Sequence, residues 1–239
     1  QGLQRHFTSH TDVVTCLKLV HTEEGGTIVA SGECGVRPAI NVWDTETMTL
    51  LSSMRGFHRN AVLQLDFSPD QTKLATVGAD TYHSIAIFDW AKGERLFAAR
   101  STFDPVHDIR FLSDDVVASC GKDHIYFWKE LQLGGWKRYR GLFGTAVRPE
   151  ALWTVNKVGS TVVTGSSSGF LHVWEGRNLV SSVKGHTGAV YASFVAGKED
   201  EKGLVTACSG GKIQVWNSKL EVGATFSASI LGAVEPIVY

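Results

Sequence analysis

The 239-residue chain is 43% hydrophobic and 20% charged, with 23 basic residues against 24 acidic ones and a formal net charge of −1. This is the composition of a soluble globular domain. It excludes a disordered tail, a collagen-like repeat and a disulfide scaffold, and it carries no electrostatic footprint for nucleic acid or an anionic membrane surface. No apolar run approaches the roughly 18 residues of a membrane span, and the start, Gln-Gly-Leu-Gln-Arg-His, has neither a Met nor an apolar signal core, so the sequence reads as a piece of a longer protein.

In chain order, residues 3–7 read as an outer strand, and TIVAS at 27–31 and INVWD at 40–44 as two strands of a first unit. AVLQLDF at 61–67, KLAT at 73–76 and IAIFD at 85–89 follow as a second unit. VVAS at 116–119 and IYFWK at 125–129 form a third, VVT at 162–164 and LHVWE at 171–175 a fourth. AVYASF at 189–194, LVT at 204–206 and IQVWN at 213–217 form a fifth. In each unit two β-branched runs flank a short turn, the pattern of a hairpin. The aromatics that close the third runs stand at 43, 88, 128, 174 and 216, a period of about 40–46 residues that matches four-stranded propeller blades. No stretch carries a helical apolar stripe, so the expected fold is all-β: a propeller with blades near 9–54, 55–99, 100–139, 140–183 and 184–227 and the start of a sixth at 228–239. Five units leave two unpaired sheet edges, so the expectation is an incomplete ring, a fragment of a larger propeller, or edges covered by a neighbouring molecule, including self-association of this fragment there.

The four cysteines, Cys16, Cys34, Cys120 and Cys208, form no C-x-x-C pair, and no N-x-[ST] sequon is present. Both facts fit a reducing compartment, with the cytoplasm expected. Cys16, Cys120 and Cys208 read as small core residues.

Several patterns resemble chemical motifs and are better read structurally. Residues 165–169, Gly-Ser-Ser-Ser-Gly, match G-x-S-x-G, but a strand rather than a helix follows them, so a hairpin turn is expected and not a nucleophile elbow. His6 and His10, like Asp104 and Asp108, lie four apart; on a strand that is roughly 13 Å, too far for one metal ion. WKRYR at 136–140 could contact acidic tails or stack on bases, but it reads as a solvated outer strand whose charges discourage edge pairing. KEDEK at 198–202 reads as a solvated loop. No phosphate-binding loop, dinucleotide fingerprint or zinc pattern occurs, so no cofactor, no metal and no catalytic set is expected.

The repeat resembles the WD-repeat family. Ser9-His10 before Trp43 and Gly185-His186 before Trp216 match that family's small-His step, with Arg55-Gly56-Phe57-His58 a degenerate third. The resemblance implies a buried tetrad of His, Ser/Thr, Asp and Trp in each blade. Carried over, it gives His10, Ser31 and Trp43 in the first blade, and His58, Thr76 and Asp80 in the second, where Phe88 replaces Trp and cannot donate. It gives Ser119, Asp123 and Trp128 in the third with Phe103 near the His position, and Thr164 and Trp174 in the fourth. The fifth has His186, Thr206 and Trp216, with Gly210 where Asp would stand. On this reading no blade is complete, and packing must supply the rest.

A narrower resemblance rests on four segments: QRHFTSHTDVVTCL at 4–17, RPAINVWDT at 37–45, CGKDHIYFW at 120–128 and RGLFG at 140–144. In order and spacing they are similar to the echinoderm microtubule-associated protein-like (EMAP-like) family. That family's HELP motif and N-terminal coiled coil are absent from this chain, so its trimerisation does not carry over. The resemblance implies a non-enzymatic interaction module that binds tubulin or microtubules through a propeller face, in a cytoplasmic, cytoskeleton-associated protein, with no nucleic acid and no membrane as partners. The other reading is a general WD-repeat scaffold for a peptide or signalling partner. The turns expected on the binding face hold five cations, Arg37, Arg59, Lys122, Arg148 and Lys212, and five carboxylates, Asp12, Glu33, Asp80, Asp104 and Asp123. That balance is no simple trap for acidic tails, so Tyr82, Phe143 and Phe170 are the expected anchors.

Overall fold

The computed structural model describes residues 4–23, 25–145, 147–197 and 202–227; Leu3, most of the charge run at 198–202 and the expected sixth-blade strand at 228–239 lie outside the described residues. Among the described residues there are twenty strands and no helix. The first sheet is built from β1 (Val14–His21), β2 (Thr27–Gly35), β3 (Ile40–Asp44) and β4 (Leu50–Met54), each antiparallel to the one before. The second repeats the meander with β5 (Asn60–Phe67), β6 (Lys73–Gly78), β7 (Ile85–Asp89) and β8 (Glu94–Ala99). The end of β2 also pairs with β5 through Cys34↔Ala61 and Gly35↔Asn60. The third sheet has the order β12 (Trp136–Arg140), β11 (His124–Glu130), β10 (Val116–Gly121), β9 (Val106–Ser113). The fourth is β13 (Leu152–Val158), β14 (Thr161–Ser166), β15 (Phe170–Glu175) and β16 (Asn178–Lys184), and the fifth β17 (Val190–Ala196), β18 (Gly203–Cys208), β19 (Lys212–Trp216) and β20 (Val222–Ser227).

The chain divides into two compact units, Gln1–Val117 with Lys129–Lys137 and Ala118–Trp128 with Arg138–Tyr239. The first holds the first two sheets and the second holds the last two.

Burial grades along each meander, and the sequence explains why. The second strands are covered on both faces: KLATVG, VVASCG and TVVTGS are buried at every position after the first. Continuous small and β-branched residues suit a strand with no solvent face. The fourth strands, LLSSM, ERLFAA and NLVSSVK, are mostly exposed or half-buried and carry the polar side chains. In the first unit one core runs through both sheets, from Ile28, Val42 and Met54 to Val62, Leu65 and Phe88. In the second, Val163, Leu171 and Val173 pack with Val190, Leu204 and Trp216. Two second-strand glycines stand directly against the neighbouring sheet. A Cβ on Gly32 would lie 2.6 Å from Val62 Cβ, and one on Gly165 would lie 2.7 Å from Val190 Cγ1.

A β-bulge recurs at the closing aromatic. The pairing of third and fourth strands shifts register at Val42/Trp43, Ile87/Phe88, Val173/Trp174 and Val215/Trp216. A bulge re-aims the side chain that follows it. Here that side chain is the ring that enters the sheet's interior.

One expected strand does not form. Residues 4–7 have no strand pairing, and Phe7 instead stacks on Trp43, with ring centroids 4.5 Å apart and planes at 7°.

The two kinds of tryptophan should differ in stability experiments. Trp216 is 2% exposed within the core of the second unit, whereas Trp136 is half-buried on an edge strand, stacked on Phe97 at 6.0 Å. Trp216→Ala should cost about 3–5 kcal/mol in denaturant unfolding, and Trp136→Ala clearly less. Equal losses would contradict this packing.

Candidate functional site

Every sheet has a hydroxyl on its second strand that is sealed from water: Ser31, Thr76, Ser119, Thr164 and Thr206 are all at most 3% exposed. A buried hydroxyl must be paired. In four sheets the indole of the closing tryptophan donates to it: Trp43 Nε1 to Ser31 at 3.0 Å, Trp128 to Ser119 at 2.9 Å, Trp174 to Thr164 at 3.0 Å and Trp216 to Thr206 at 2.8 Å. Phe88 offers no donor, and Thr76 bonds instead to the Ala86 carbonyl at 3.4 Å. Three sheets add an imidazole: His10 Nε2 lies 2.6 Å from Ser31 Oγ, His58 Nε2 2.7 Å from Thr76 Oγ1 and His186 Nε2 2.7 Å from Thr206 Oγ1.

The carboxylates distinguish the sheets. In the first, Glu33 is 1% exposed and takes bonds from His10 Nδ1 at 2.8 Å, the Thr11 N–H at 2.9 Å, the Ala39 N–H at 3.0 Å and Arg55 Nη1 at 3.2 Å. Burial opposes its ionisation, but these donors prevail and hold the carboxyl down at about 2. The first blade therefore has a complete tetrad, with Glu33 as its acid. This corrects the expectation that none is complete, and Glu33 is an interior group, not part of an exposed face. In the second sheet Asp80 does not reach His58. It accepts from the backbone N–H of Tyr82 and Ser84 and from the Ser84 hydroxyl, closing its own turn. His58 Nδ1 has no hydrogen-bond partner, and burial, opposed by the Asp80 charge, pulls the imidazole down to about 4. His186 Nδ1 is likewise without a partner, and burial followed by the Lys212 charge lowers its pKa. In the third sheet Asp123 is exposed in the turn at φ 58°, away from the tetrad, and Phe103 is 70% exposed against Tyr82, so it does not occupy the His position. In the fourth that position belongs to Phe143, edge-on to Trp174 at 5.1 Å and only 8% exposed, so Phe143 is not a surface anchor.

The fourth sheet also carries a cavity of about 370 Å³. Its walls include Pro149, Glu150, Ser168, Phe170, His172 and Ser182. Glu150, from the segment leading into β13, accepts four bonds: Ser167 Oγ and the Ser168 N–H at 2.9 Å on one oxygen, Ser168 Oγ at 2.8 Å and His172 Nε2 at 3.1 Å on the other. His172 Nδ1 lies 2.7 Å from Ser182 Oγ. Burial alone would raise the Glu150 pKa, but the serines and His172 lower it; burial lowers that of His172 against the pull of Glu150. The Gly-Ser-Ser-Ser-Gly segment is a hairpin turn between β14 and β15, and its Ser167 and Ser168 bond Glu150. Nothing in the motifs pointed to this site, because Glu150 lies in a loop upstream of the strands it joins.

The remaining expected face residues fall as follows. Arg37 and Arg59 are exposed, and Tyr82 is half-buried with Arg100 stacked 4.3 Å from its ring centroid. In the second unit Lys122, Arg148 and Lys212 are exposed, and Phe170 is half-buried, stacked on His172 at 6.0 Å and 3°. Among the described residues no group of His, Cys, Asp and Glu could hold a metal ion, and no helix is long and apolar enough to cross a membrane. The four cysteines are free thiols; Cys120 and Cys208 are buried, and burial pushes the half-buried Cys16 thiol up to about 12.

Because Thr206 serves two partners and Thr164 one tryptophan, the isosteric Thr206→Val should destabilise by about 1 kcal/mol more than Thr164→Val in equilibrium unfolding. The reverse order would refute the assignment.

Comparison with known proteins agrees with this geometry. The family model described as "Echinoderm microtubule-associated protein first beta-propeller" matches residues 3–237. Echinoderm microtubule-associated protein-like 1 of Homo sapiens is 32% identical over 80% of this chain and 25% of its own length. Echinoderm microtubule-associated protein-like 2 of Mus musculus is 31% identical over 79% of this chain and 31% of its own length. The 77 kDa echinoderm microtubule-associated protein of Strongylocentrotus purpuratus is 28% identical over 80% of the chain and 30% of its length. The chain thus spans about a quarter to a third of the relatives it matches. Among solved structures, the β-propeller domain of Myceliophteria thermophila Cps50 (Swd1) superposes with a TM-score of 0.75 at 17% identity, covering 92% of this chain and 74% of that one, which identifies the fold. The recurring sheets and the sequence match agree: this chain belongs to the family of the first β-propeller of echinoderm microtubule-associated proteins.

Proposed function

We propose that this propeller is a non-enzymatic protein-interaction module of a cytoplasmic, cytoskeleton-associated protein, and that it binds tubulin or microtubules through the turns at one end of its sheets. The observation that carries the reading is the match over residues 3–237 to a propeller family defined on microtubule-associated proteins. Surface chemistry supports it. Polar interior groups are spent on holding the sheets, as in the Ser31 and Thr206 networks, while Arg37, Arg59 and the Arg100–Tyr82–Phe103 cluster stand outward on the first unit. Exposed aromatic and arginine side chains are the residue types that dominate interface energies.

Co-sedimentation with microtubules and gel filtration with soluble tubulin test this. Binding is expected, with weak dependence on salt because the face mixes both signs of charge, and Tyr82→Ala with Arg59→Glu should lower affinity about tenfold or more. Failure to bind either form of tubulin would overturn the reading and leave the general scaffold, with any tubulin contact of the relatives placed elsewhere in their length.

A further inference from the structure

We propose that the cavity on the fourth sheet is a receptor for a basic side chain, arginine or lysine, of a partner protein. A carboxylate is an acceptor only, and Glu150 already receives four bonds, from the Ser167 and Ser168 hydroxyls, the Ser168 N–H and His172 Nε2. His172 Nε2 must therefore carry its hydrogen. In the neutral ring, the form its burial favours, Nδ1 is then a lone pair, and the only hydrogen available to the 2.7 Å contact comes from Ser182. Every hydrogen in the chain from Ser182 through His172 to Glu150 points toward the carboxylate. A ligand entering the cavity meets the lone pairs of Ser182 Oγ, the negative charge of Glu150 and the Phe170 ring, all of which line it. It finds no donor in that chain that is not already committed.

That chain of hydrogen bonds offers nothing to a carboxylate or phosphate, which needs donors, and suits a group that brings them. The aromatic floor selects among donors: guanidinium and ammonium groups gain from a ring face. The protein already seats a cation on this ring. Lys184 holds its ammonium 4.7 Å from the Phe170 centroid and donates to the Ser168 carbonyl. The cavity, at about 370 Å³, has the size of a site for one side chain or small ligand. Arg148 borders the opening but is exposed, so solvent screens its repulsion, whereas the half-buried Glu150 acts from within.

This inference rests on reading the chain as an interaction module, but its test contains no tubulin, so the two readings fail separately. The protein would be titrated by NMR with the N-acetyl methylamides of arginine, lysine and glutamate, following the His172 ring and the Ser182 and Phe170 amides. The arginine or lysine probe should shift these signals and the glutamate probe should not. Phe170→Leu should weaken the basic probe about fivefold or more, and Lys184→Met, which removes the internal cation from an exposed position, should strengthen it by a similar factor. Absence of shifts with both basic probes, preference for glutamate, or weaker binding by Lys184→Met would overturn the proposal.

Discussion

A hydroxyl with no access to water is the constraint on which each blade turns. Ser31, Ser119, Thr164 and Thr206 are each buried on a second strand, and each is satisfied by an indole N–H from the next strand. Meeting that demand fixes much else. The tryptophan must point inward, with a bulge just before it at Trp43, Trp174 and Trp216, and the second and third strands must hold one register, such as Ser31↔Asn41 or Thr206↔Gln214. The bond supplies direction where apolar packing supplies most of the energy. Phe88 shows the division: the second blade lacks the indole bond, yet Phe88 is 5% exposed in the same core as Leu65, Leu74 and Ala86.

Carboxylates are what the blades vary. Glu33 completes the first tetrad, with an arginine and two backbone N–H groups to offset the cost of burying a charge. Asp80 is drawn instead into a turn that offers it two N–H groups and a hydroxyl, leaving His58 neutral and half-satisfied. Glu150 serves neither role. It gathers three donor residues around a cavity, and its blade holds Trp174 by Thr164 and the edge of Phe143. A blade whose stability does not need its acid in the tetrad has that acid available at the surface.

The repeat was legible because its signals are local: β-branched runs, a turn and an aromatic recur within each unit, and nothing distant competes with them. The hydroxyls and tryptophans stood out for the same reason. The acids did not. Glu33 follows Ser31 by two positions and Asp80 follows Thr76 by four, and only the longer spacing matches the familiar pattern, although only the shorter reaches the imidazole. Glu150 joins strands that begin beyond it, so its partners Ser168 and His172 cannot be inferred from spacing. Phe103 and Phe143 are both aromatics in loops that lead into a blade; one is exposed and the other buried. What separates them is tertiary: Phe143 meets Trp174 and His172, while Phe103 meets Tyr82.

The first blade is closed by an imidazole–carboxylate bond between His10 and Glu33, and the second has no such bond between His58 and Asp80. Double-mutant cycles measure this directly, with His10→Ala and Glu33→Gln in one and His58→Ala and Asp80→Asn in the other, read by equilibrium unfolding. The predicted coupling is about 2 kcal/mol or more between His10 and Glu33, and under about 0.5 kcal/mol between His58 and Asp80. Equal couplings, or a larger one in the second blade, would contradict it.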